Sequence, residues 1–237
     1  MDIVAFSDLH GQLPKIEFKA DIALIAGDIV PLHTQSGYVT SRNWFFTEFK
    51  KWAEKLPVDH VFFVAGNHDF FLEAISMTEE NVKTFDKELG DKITYLYNNV
   101  GSYTKGDETI QILGTPLCHQ FGRWAFMPTD ERMEEMFKNI KLPKKTKIDV
   151  VLCHDAPYGV SDRLLQKTYH NPTVPGLSIG SEPLRDYIKK IKPRYCFHGH
   201  LHSTNHEEEL LGDTKVYNVS LLDEYYKMTY KPLYLKI

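Results

Sequence analysis

Residues 61–69, Val-Phe-Phe-Val-Ala-Gly-Asn-His-Asp, decide how the rest of the chain is interpreted. The apolar run 61–65 is short and rich in β-branched and aromatic residues, which predicts a buried β-strand. Gly66 and Asn67 are typical of a turn. This turn, however, carries an amide, an imidazole and a carboxylate in consecutive positions. It is therefore either a polar connection or one part of a site whose other parts lie elsewhere in the chain.

Four other apolar runs end in the same way, with polar residues in the loop that follows. The runs are residues 3–6, 22–26, 148–153 and 194–197. The polar residues that follow all five runs are Asp8 and His10, Asp28, Asn67 with His68 and Asp69, His154 with Asp155, and His200 with His202. In open α/β sheets, ligand sites lie beyond the carboxyl ends of the strands, where such loops converge. The sequence therefore predicts one shared site.

The side chains in these loops form a ligand set for metal ions. Asp, Asn and His without Cys suit Mn²⁺, Fe or Zn²⁺. In extended backbone, the pairs Asp8/His10 and His200/His202 would each point to one side and offer two ligands to one place. Seven candidate ligands exceed the need of one tetrahedral zinc and suffice for two ions if a carboxylate bridges them. Two ions roughly 3.5–4 Å apart are an arrangement that cleaves phosphoesters.

The charge of such a cluster favours a phosphate substrate. Two divalent cations set against Asp8, Asp28 and a metal-bound hydroxide leave a net charge of about +1. The neutral Asn67 preserves that surplus, whereas a third carboxylate would cancel it. We therefore expect the cluster to attract a phosphate anion.

Composition sets wider limits on the class of protein. The chain of 237 residues is 42% hydrophobic and 25% charged, as in ordinary soluble proteins, and its net charge of −4 argues against a nucleic-acid-binding face. Without a repeat or linker, residues 1–237 are predicted to form a single domain. Neither a signal peptide nor an apolar stretch of membrane-spanning length is present. We therefore predict a cytoplasmic protein in which Cys118, Cys153 and Cys196 are reduced.

Further periodic patterns indicate the fold class. Helices are predicted over 41–56, 78–89, 130–140 and 182–191, and additional strands over 94–103, 109–115, 205–211, 215–219, 225–230 and 232–237. Residues 94–115 form a hairpin pattern around Gly106 and Asp107. Alternating strands and helices followed by hairpins predict an α/β or α+β fold in which helices cover mixed sheets.

The ordered polar blocks resemble the signature of the calcineurin-like metallophosphoesterases. They read Asp8-Leu-His10, Gly27-Asp28, Gly66-Asn67-His68-Asp69, His154 and Gly199-His200-Leu-His202. One block alone is weak, but the ordered set is specific and spans most of the chain. Residues 114–126, 153–163 and 180–185 resemble the small single-domain branch, which contains phosphodiesterases similar to the brain metallophosphodiesterases and their microbial and viral relatives.

The chain departs from relatives at two places. After Gly27-Asp28 it lacks the substrate-binding Arg of the protein Ser/Thr phosphatases. Asp155 follows His154, where many relatives have a small residue or Thr.

The resemblance implies a fold of two stacked mixed β-sheets flanked by helices, with the site at one edge. It implies that one ion is held by Asp8, His10 and His202, a second by Asn67, His154 and His200, and that Asp28 bridges them. It further implies in-line attack on phosphorus by a metal-bridging hydroxide, with His68 near the leaving group and Asp69 orienting His68. Of the divalent ions we expect Mn²⁺ first, with Fe, Zn²⁺ or Ni²⁺ as the other candidates.

Several further residues are candidate substrate contacts. Arg163 and Arg123 carry guanidinium groups that match phosphate oxygens, although simple solvation is the better interpretation of Arg123. His119 is a third candidate. Trp124 and Phe126 can form an apolar wall for a base or aryl group, or belong to the core. The remaining histidines are given no functional role, with His198 interpreted as structural and His33, His60, His170 and His206 as exposed.

These features together predict a phosphodiesterase that acts on a nucleotide or another small diester. A DNA exonuclease or repair nuclease of the same superfamily is an alternative, so that nucleic acid stays open as a partner. A catalytically inactive binding module is a third hypothesis, and the complete set of ligands argues against it. The choice between monoester and diester, the native substrate and the oligomeric state are left open by the sequence.

Overall fold

A computed structural model describes residues 1–144, 147–165 and 176–237, and its strands form two mixed β-sheets. The first sheet has the order β11-β1-β2-β3-β4. Its strands are β1 (Asp2–Phe6), β2 (Ile22–Ala26), β3 (His60–Val64), β4 (Ile93–Tyr95) and β11 (Leu233–Lys236). Strands β1 to β4 run parallel, and β11 pairs with β1 in the antiparallel direction.

The second sheet has the order β5-β6-β7-β8-β10-β9. Its strands are β5 (Asn99–Lys105), β6 (Glu108–Thr115), β7 (Val150–Cys153), β8 (Tyr195–His198), β9 (Glu209–Leu211) and β10 (Thr214–Asn218). The four inner strands are parallel, and β5 and β9 are antiparallel to their neighbours at the two edges.

Helices cover the outer face of each sheet. They are α1 (Tyr38–Trp44), a π-helical turn (Phe45–Phe49), α2 (Lys50–Lys55), α3 (Phe70–Ile75), α4 (Glu79–Leu89), α5 (Asp130–Lys138) and α6 (Glu182–Ile191). The first four helices and the π-helical turn pack against the first sheet through buried residues such as Phe45 and Phe85. Helices α5 and α6 pack against the second sheet through residues such as Met133 and Ile188.

The two sheets stack face to face over an apolar interior. Leu24 and Phe62 of the first sheet belong to the same buried cluster as Leu152 and Phe197 of the second. This confirms the predicted class, two mixed sheets flanked by helices. None of the described helices is both long and apolar enough to cross a membrane.

Strong local signals placed most elements correctly. Strand β2 and helix α6 have the predicted bounds, and Ser181 caps α6 by accepting a hydrogen bond from the Leu184 amide at 3.2 Å. Within the lysine-rich segment 141–147, which the sequence marks as a surface connection, residues 145–146 lie outside the described residues. His170 also lies outside them.

Two predicted strands need correction, and one helix was missed. The single strand predicted over 94–103 is two strands, because the chain turns at Asn98 (φ 50°) and crosses from β4 in the first sheet to β5 in the second. The strand predicted over 225–230 is a turn, in which the Tyr226 amide donates to the Asp223 carbonyl at 2.9 Å. Helix α3 was not predicted, since it is short and begins directly after Asp69.

Candidate metal centre and active site

The loops that follow β1, β2, β3, β7 and β8 converge on one cleft of about 530 Å³. Among the residues predicted for the site, those that line this cleft are His10, Asp28, Asn67, His68, His119, Trp124, His200 and His202. Asp8 and His154 are fully buried against this group and contact its members. The structure thus brings all seven predicted metal ligands together.

A first group of potential ligands consists of Asp8, His10 and His202, whose ligand atoms lie within 4.8 Å of one another. His202 donates through Nδ1 to the Asp223 carbonyl at 3.0 Å, which leaves Nε2 at 3.2 Å from Asp8 Oδ1. Both ring nitrogens of His10 are buried and have no hydrogen-bond partner among the described residues. Since buried polar atoms are nearly always paired, this arrangement fits a metal ligand.

A second group lies around His154. Its Nδ1 donates to the Ala26 carbonyl at 2.7 Å, and its Nε2 lies 3.0 Å from Asn67 Oδ1. A backbone partner on one nitrogen fixes the other toward a metal, as is usual for ligating histidines. The His200 ring lies 5.2 Å from the His154 ring, between ring centroids.

The sequence did not predict a cysteine in this second group. The Cys118 sulfur lies within 4.8 Å of ligand atoms of His154 and His200. Burial raises the pKa of the Cys118 thiol well above its usual value. Before a metal binds, Cys118 is therefore a neutral thiol beside these two histidines.

Asp28 lies between the two groups. Its Oδ2 is 3.4 Å from His10 Nε2 and 3.4 Å from His154 Nε2. Its Oδ1 accepts a hydrogen bond from the His68 amide at 2.8 Å. A carboxylate that reaches both sets of ligands has the position that a bridging ligand requires.

Opposite charges inside the cluster determine its protonation. Burial opposes the ionisation of Asp8 and Asp28, but His202 beside Asp8 and His154 beside Asp28 hold the pKa of both carboxyls well below the usual value. Burial alone would lower the pKa of His154, yet Asp28 and Asp8 raise it to about 10. Burial likewise disfavours His202⁺, and Asp8 raises the pKa of His202 to about 9. Both carboxyl groups are therefore ionised, and they favour positive charge beside them.

Two other histidines of the site have lowered rather than raised pKa values. Burial lowers the pKa of His10 to about 3 and that of His200 to about 3. Both rings are therefore neutral at physiological pH and present the form that binds a metal.

The backbone of the site is left-handed at four predicted ligands. The φ angle is 57° at Asp8, 41° at His10, 53° at Asp28 and 69° at His200. Such conformations are costly for residues other than glycine and cluster at functional sites. They also correct the expectation that the pairs Asp8/His10 and His200/His202 lie in extended backbone. The pairs converge on the site through turns.

Two glycines let the carboxylates approach the backbone closely. A Cβ atom at Gly66 would collide with the Asp28 carboxylate, and one at Gly199 would collide with Asp8 Oδ2 and the Ser7 side chain. The glycines that precede Asn67 and His200 are thus required by space, which explains why they belong to the sequence blocks.

His68 faces the cleft and is held by a residue that the sequence did not point to. Its Nδ1 makes a short contact with Gln35 Oε1, and its Nε2 lies 3.9 Å from Asp28 Oδ2. Burial lowers the pKa of His68, more than Asp28 raises it. Gln35 therefore holds the ring with Nε2 directed to the cleft.

Asp69 does not orient His68, contrary to the expectation from the sequence. Its carboxylate accepts hydrogen bonds from the amides of Ile29 at 3.0 Å, Val30 at 3.0 Å and Gly66 at 2.8 Å. Burial and the nearby Asp28 raise the pKa of Asp69 to about 7. This residue ties the loop after β2 to the loop after β3, and so fixes Asp28 relative to Asn67.

Two of the predicted substrate contacts line the cleft. His119 contacts Asp155 Oδ2 through Nδ1 at 2.8 Å, which gives a structural role to the Asp155 that follows His154. The Trp124 ring lies 4.6 Å from the His68 ring, between centroids. Phe126, by contrast, is buried and belongs to the core.

The two arginines lie apart from the cleft. Arg163 is exposed, and its backbone pairs with Ser178 in an isolated bridge. Arg123 is also exposed, and neither residue is among those that line the cleft. A substrate contact by Arg163 stays a prediction. The sequence also missed five residues that line the cleft, namely Phe121, Ile179, Leu201, Glu224 and Tyr226.

A family model for calcineurin-like phosphoesterases matches residues 1–204. An uncharacterised protein of Methanocaldococcus jannaschii is 27% identical over 230 residues, which cover 93% of this chain and 88% of that one. The human metallophosphoesterase domain-containing protein 1 is 23% identical, over 84% of this chain and 60% of its own length. The lariat debranching enzyme of Danio rerio is 28% identical, over 81% of this chain and 39% of its own length.

Solved structures agree with this fold. One crystal structure superimposes with a TM-score of 0.58 at 18% identity, over 92% of this chain and 89% of the other. The protein TT1561 of Thermus thermophilus gives a TM-score of 0.52 at 14% identity, over 92% and 88%. At such identities the likeness concerns the fold alone. The match of the family model over most of the chain shows that this protein belongs to the calcineurin-like phosphoesterase family and is a metal-dependent phosphoester hydrolase.

Proposed function

We propose that the protein is a phosphodiesterase that uses two divalent metal ions, Mn²⁺ in the first instance, to hydrolyse a small phosphodiester such as a nucleotide. One observation carries the proposal: two groups of buried ligands share the Asp28 carboxylate between them. Asp8, His10 and His202 would hold one ion, and Asn67, His154 and His200 would hold the other, with Asp28 as a ligand common to both.

The donor set suits ions of borderline hardness. Imidazole nitrogens and carboxylate or amide oxygens bind Mn²⁺, Fe, Zn²⁺ and Ni²⁺. When bound, a pair of such ions polarises the phosphoryl oxygens and makes water nucleophilic at neutral pH. Because only Asp8 and Asp28 are anionic ligands, the loaded site keeps a positive charge that favours a phosphate.

His68 is proposed to hold a proton near the leaving group. Its Nδ1 contacts Gln35 Oε1, so that Nδ1 donates and Nε2 is the atom directed to the cleft. Because Nδ1 carries the proton of the neutral ring and burial lowers the pKa of His68, Nε2 carries a proton only in the doubly protonated ring. It is this form that can pass a proton to the departing ester oxygen. General acid catalysis of this kind contributes roughly 10²- to 10⁴-fold to a rate.

A nuclease is the second candidate function. The similarity to a lariat debranching enzyme over 81% of this chain favours it. The net charge of −4 favours the small substrate, because nucleic-acid-binding surfaces are usually basic. An inactive binding module is disfavoured, since every ligand position is filled. We further propose a cytoplasmic location, which the three buried free thiols support.

Hydrolysis of bis(4-nitrophenyl) phosphate and of 4-nitrophenyl phosphate tests this proposal. We expect activity with added Mn²⁺, a higher kcat/KM for the diester, loss on chelation and return when Mn²⁺ is restored. The variants Asn67→Ala and His200→Ala should be inactive, whereas His33→Ala, which alters an exposed histidine outside the cleft, should retain activity. Activity that survives chelation or survives both ligand variants contradicts the proposal.

A further inference from the structure

Two large aromatic side chains stand exposed at the cleft on one loop between β6 and α5. Phe121 is 53% exposed and Trp124 is 37% exposed, and both line the same cleft as the ligand groups. Binding clefts are lined mainly by apolar and aromatic side chains with a few polar groups that fix orientation. Exposed rings at such a place therefore indicate a surface that covers part of a ligand.

The loop that carries these rings is closed at its base. The Cys118 amide donates to the Phe126 carbonyl at 2.9 Å, and the Ala125 amide donates to the Asn67 carbonyl at 3.1 Å. The Phe126 amide donates to Glu73 Oε1 at 2.6 Å. Residues 118–126, which we call the aromatic loop, are thus attached directly to the backbone of a metal-ligand residue. Their geometry is set by the same turn as the site.

Each exposed ring continues the surface of a histidine in the site. The Trp124 ring lies 4.6 Å from the His68 ring at an interplanar angle of 39°. The Phe121 ring is stacked on the His200 ring at 5.4 Å and 29°. Both side chains nevertheless remain partly exposed. A flat group attached to a phosphate at the metal centre would lie beside these rings, since both line the same cleft.

We propose that Phe121 and Trp124 form a binding subsite for a flat ring, and that one ester group of the substrate is a nucleoside. For the phosphoester part, this rests on the proposed function. Base-to-aromatic stacking is favourable for every base because each has a π-face. The subsite therefore selects for the presence of a base rather than for its identity.

Charge near the cleft favours a small nucleotide over a polymer. A second depression adjoins the cleft at His119, and its lining includes the carboxylates of Asp130, Glu131 and Glu182. Repulsion between these groups and additional phosphates disfavours a continuing strand. The shared chemistry, an unstacked base on a phosphodiester, is thus most compatible with a mononucleotidyl or dinucleotidyl substrate.

Binding of adenosine 5′-monophosphate and of ribose 5-phosphate to the Mn²⁺-loaded protein, measured by calorimetry, tests the subsite through affinity rather than through rates of hydrolysis. The two probes share phosphate and sugar and differ in the base alone. We expect the wild-type protein to bind the nucleotide about tenfold or more tightly. In Phe121→Ala and Trp124→Ala this preference should shrink toward parity, while the affinity for ribose 5-phosphate changes by less than about twofold. Phe18→Ala, which removes a 66% exposed ring that packs on Tyr234, should keep the full preference.

Equal affinity of the wild-type protein for the two probes overturns the subsite, as does a preference that both variants retain. A protein that prefers the nucleotide but hydrolyses no diester would support the subsite and refute the proposed function. The third probe is a ten-residue oligothymidylate, whose affinity is compared with that of the mononucleotide. Affinity for it that greatly exceeds affinity for the mononucleotide, with a steep salt dependence, would overturn the small-substrate part of the proposal.

Discussion

The metal-ligand cluster and the aromatic loop face the same cleft, but they are built in opposite ways. The ligands are mostly buried, follow directly from strand ends, and are held by left-handed backbone and by each other. The aromatic loop is held by backbone hydrogen bonds and by the carboxylates of Glu73 and Asp155, and it exposes its two rings. Rigid strand ends thus carry the chemistry, while a loop presents the surface that selects the substrate.

This division predicts two kinds of defect. Damage to the ligand cluster should lower kcat for every substrate, because the same ions act on every phosphate. Damage to the aromatic loop should raise KM for substrates with a base and leave kcat for a simple aryl diester nearly unchanged. A ligand-cluster variant that changed only KM, or an aromatic-loop variant that changed only kcat, would contradict this division of roles.

The largest effect is expected from the residue that both ligand groups share. Asp28→Asn removes a negative charge between His10 and His154, and we expect kcat to fall by roughly 10³-fold or more, since several kcal/mol of transition-state stabilisation are lost. Steady-state hydrolysis of bis(4-nitrophenyl) phosphate with added Mn²⁺ measures this. Asp91→Asn, which makes the same change at an exposed position, should be indistinguishable from wild type.

His68 is the next most sensitive position, because it joins the two regions by contacting both Asp28 and Trp124. We expect His68→Asn to lower kcat by about 10²-fold, and by more when the leaving group is a poor one that needs a proton. A series of aryl diesters with leaving groups of increasing pKa measures this dependence. A loss that is the same for all leaving groups would assign His68 to substrate binding instead.

Substitution of Gln35 should lower kcat in the same way as substitution of His68, but by less. Gln35→Ala leaves the His68 ring without its partner, and we expect kcat to fall by about tenfold with the same leaving-group dependence. Gln35→Glu keeps an oxygen acceptor at the same place and should recover most of the rate. If Gln35→Ala acted on KM alone, Gln35 would not be a positioning residue for His68.

Asp69 tests whether the scaffold under the ligand cluster is as rigid as the contacts indicate. Asp69→Ala leaves the amides of Ile29, Val30 and Gly66 without their acceptor, and the free energy of unfolding should fall by about 3 kcal/mol. Urea denaturation monitored by circular dichroism measures the change. Asp69→Asn retains an acceptor oxygen and should lose clearly less. Equal stability of Asp69→Ala and wild type would show that the two loops do not depend on this carboxylate.

The charges of the cluster predict a pH dependence of metal binding. Before a metal binds, pKa values of about 10 for His154 and about 9 for His202 keep both rings protonated at neutral pH. Since a metal binds only the neutral imidazole, Mn²⁺ must displace about two protons, and its affinity should rise with pH between 7 and 9. Calorimetry in two buffers with different heats of ionisation counts these protons. Heats that do not depend on the buffer would contradict the assigned charges.

The raised pKa values of His154 and His202 also determine how the stability of the metal-free protein changes with pH. Raised pKa values mean that the pairs His154–Asp28 and His202–Asp8 stabilise the fold fully below the usual histidine pKa of 6.5. That contribution is lost as pH rises through about 9 to 10. Melting of the chelated protein should therefore shift to lower temperature over this interval, and bound Mn²⁺ should remove most of the shift.

The ligand cluster could be predicted from the sequence because its signal is local. Asp28, His154 and His200 each follow a short apolar run that can only be a buried strand. Strand ends of a parallel sheet meet at one edge, so local patterns suffice to bring these residues together. The approach failed only in its geometric detail, because the turns at Asp8 and His200 are left-handed rather than extended.

Contacts made across the fold could not be predicted in this way. Gln35 lies 33 positions before His68, and no pattern in the sequence joins the two. The position of Asp69 next to His68 suggested a partnership, but neighbouring side chains in a turn point in different directions. Residues 94–103 read as one strand because β-propensity does not reveal a crossing between sheets. Phe121 could not be told from a core aromatic until its exposure was known.

The central claim is that the strand ends assemble a site for two ions that meet at Asp28. The number of Mn²⁺ ions bound per chain, measured by metal analysis after equilibrium dialysis, tests it most directly. We predict two ions for the wild-type protein and one for Asn67→Ala, in which the group of Asp8, His10 and His202 stays intact. A wild-type protein that binds a single ion at saturating Mn²⁺ would contradict the account.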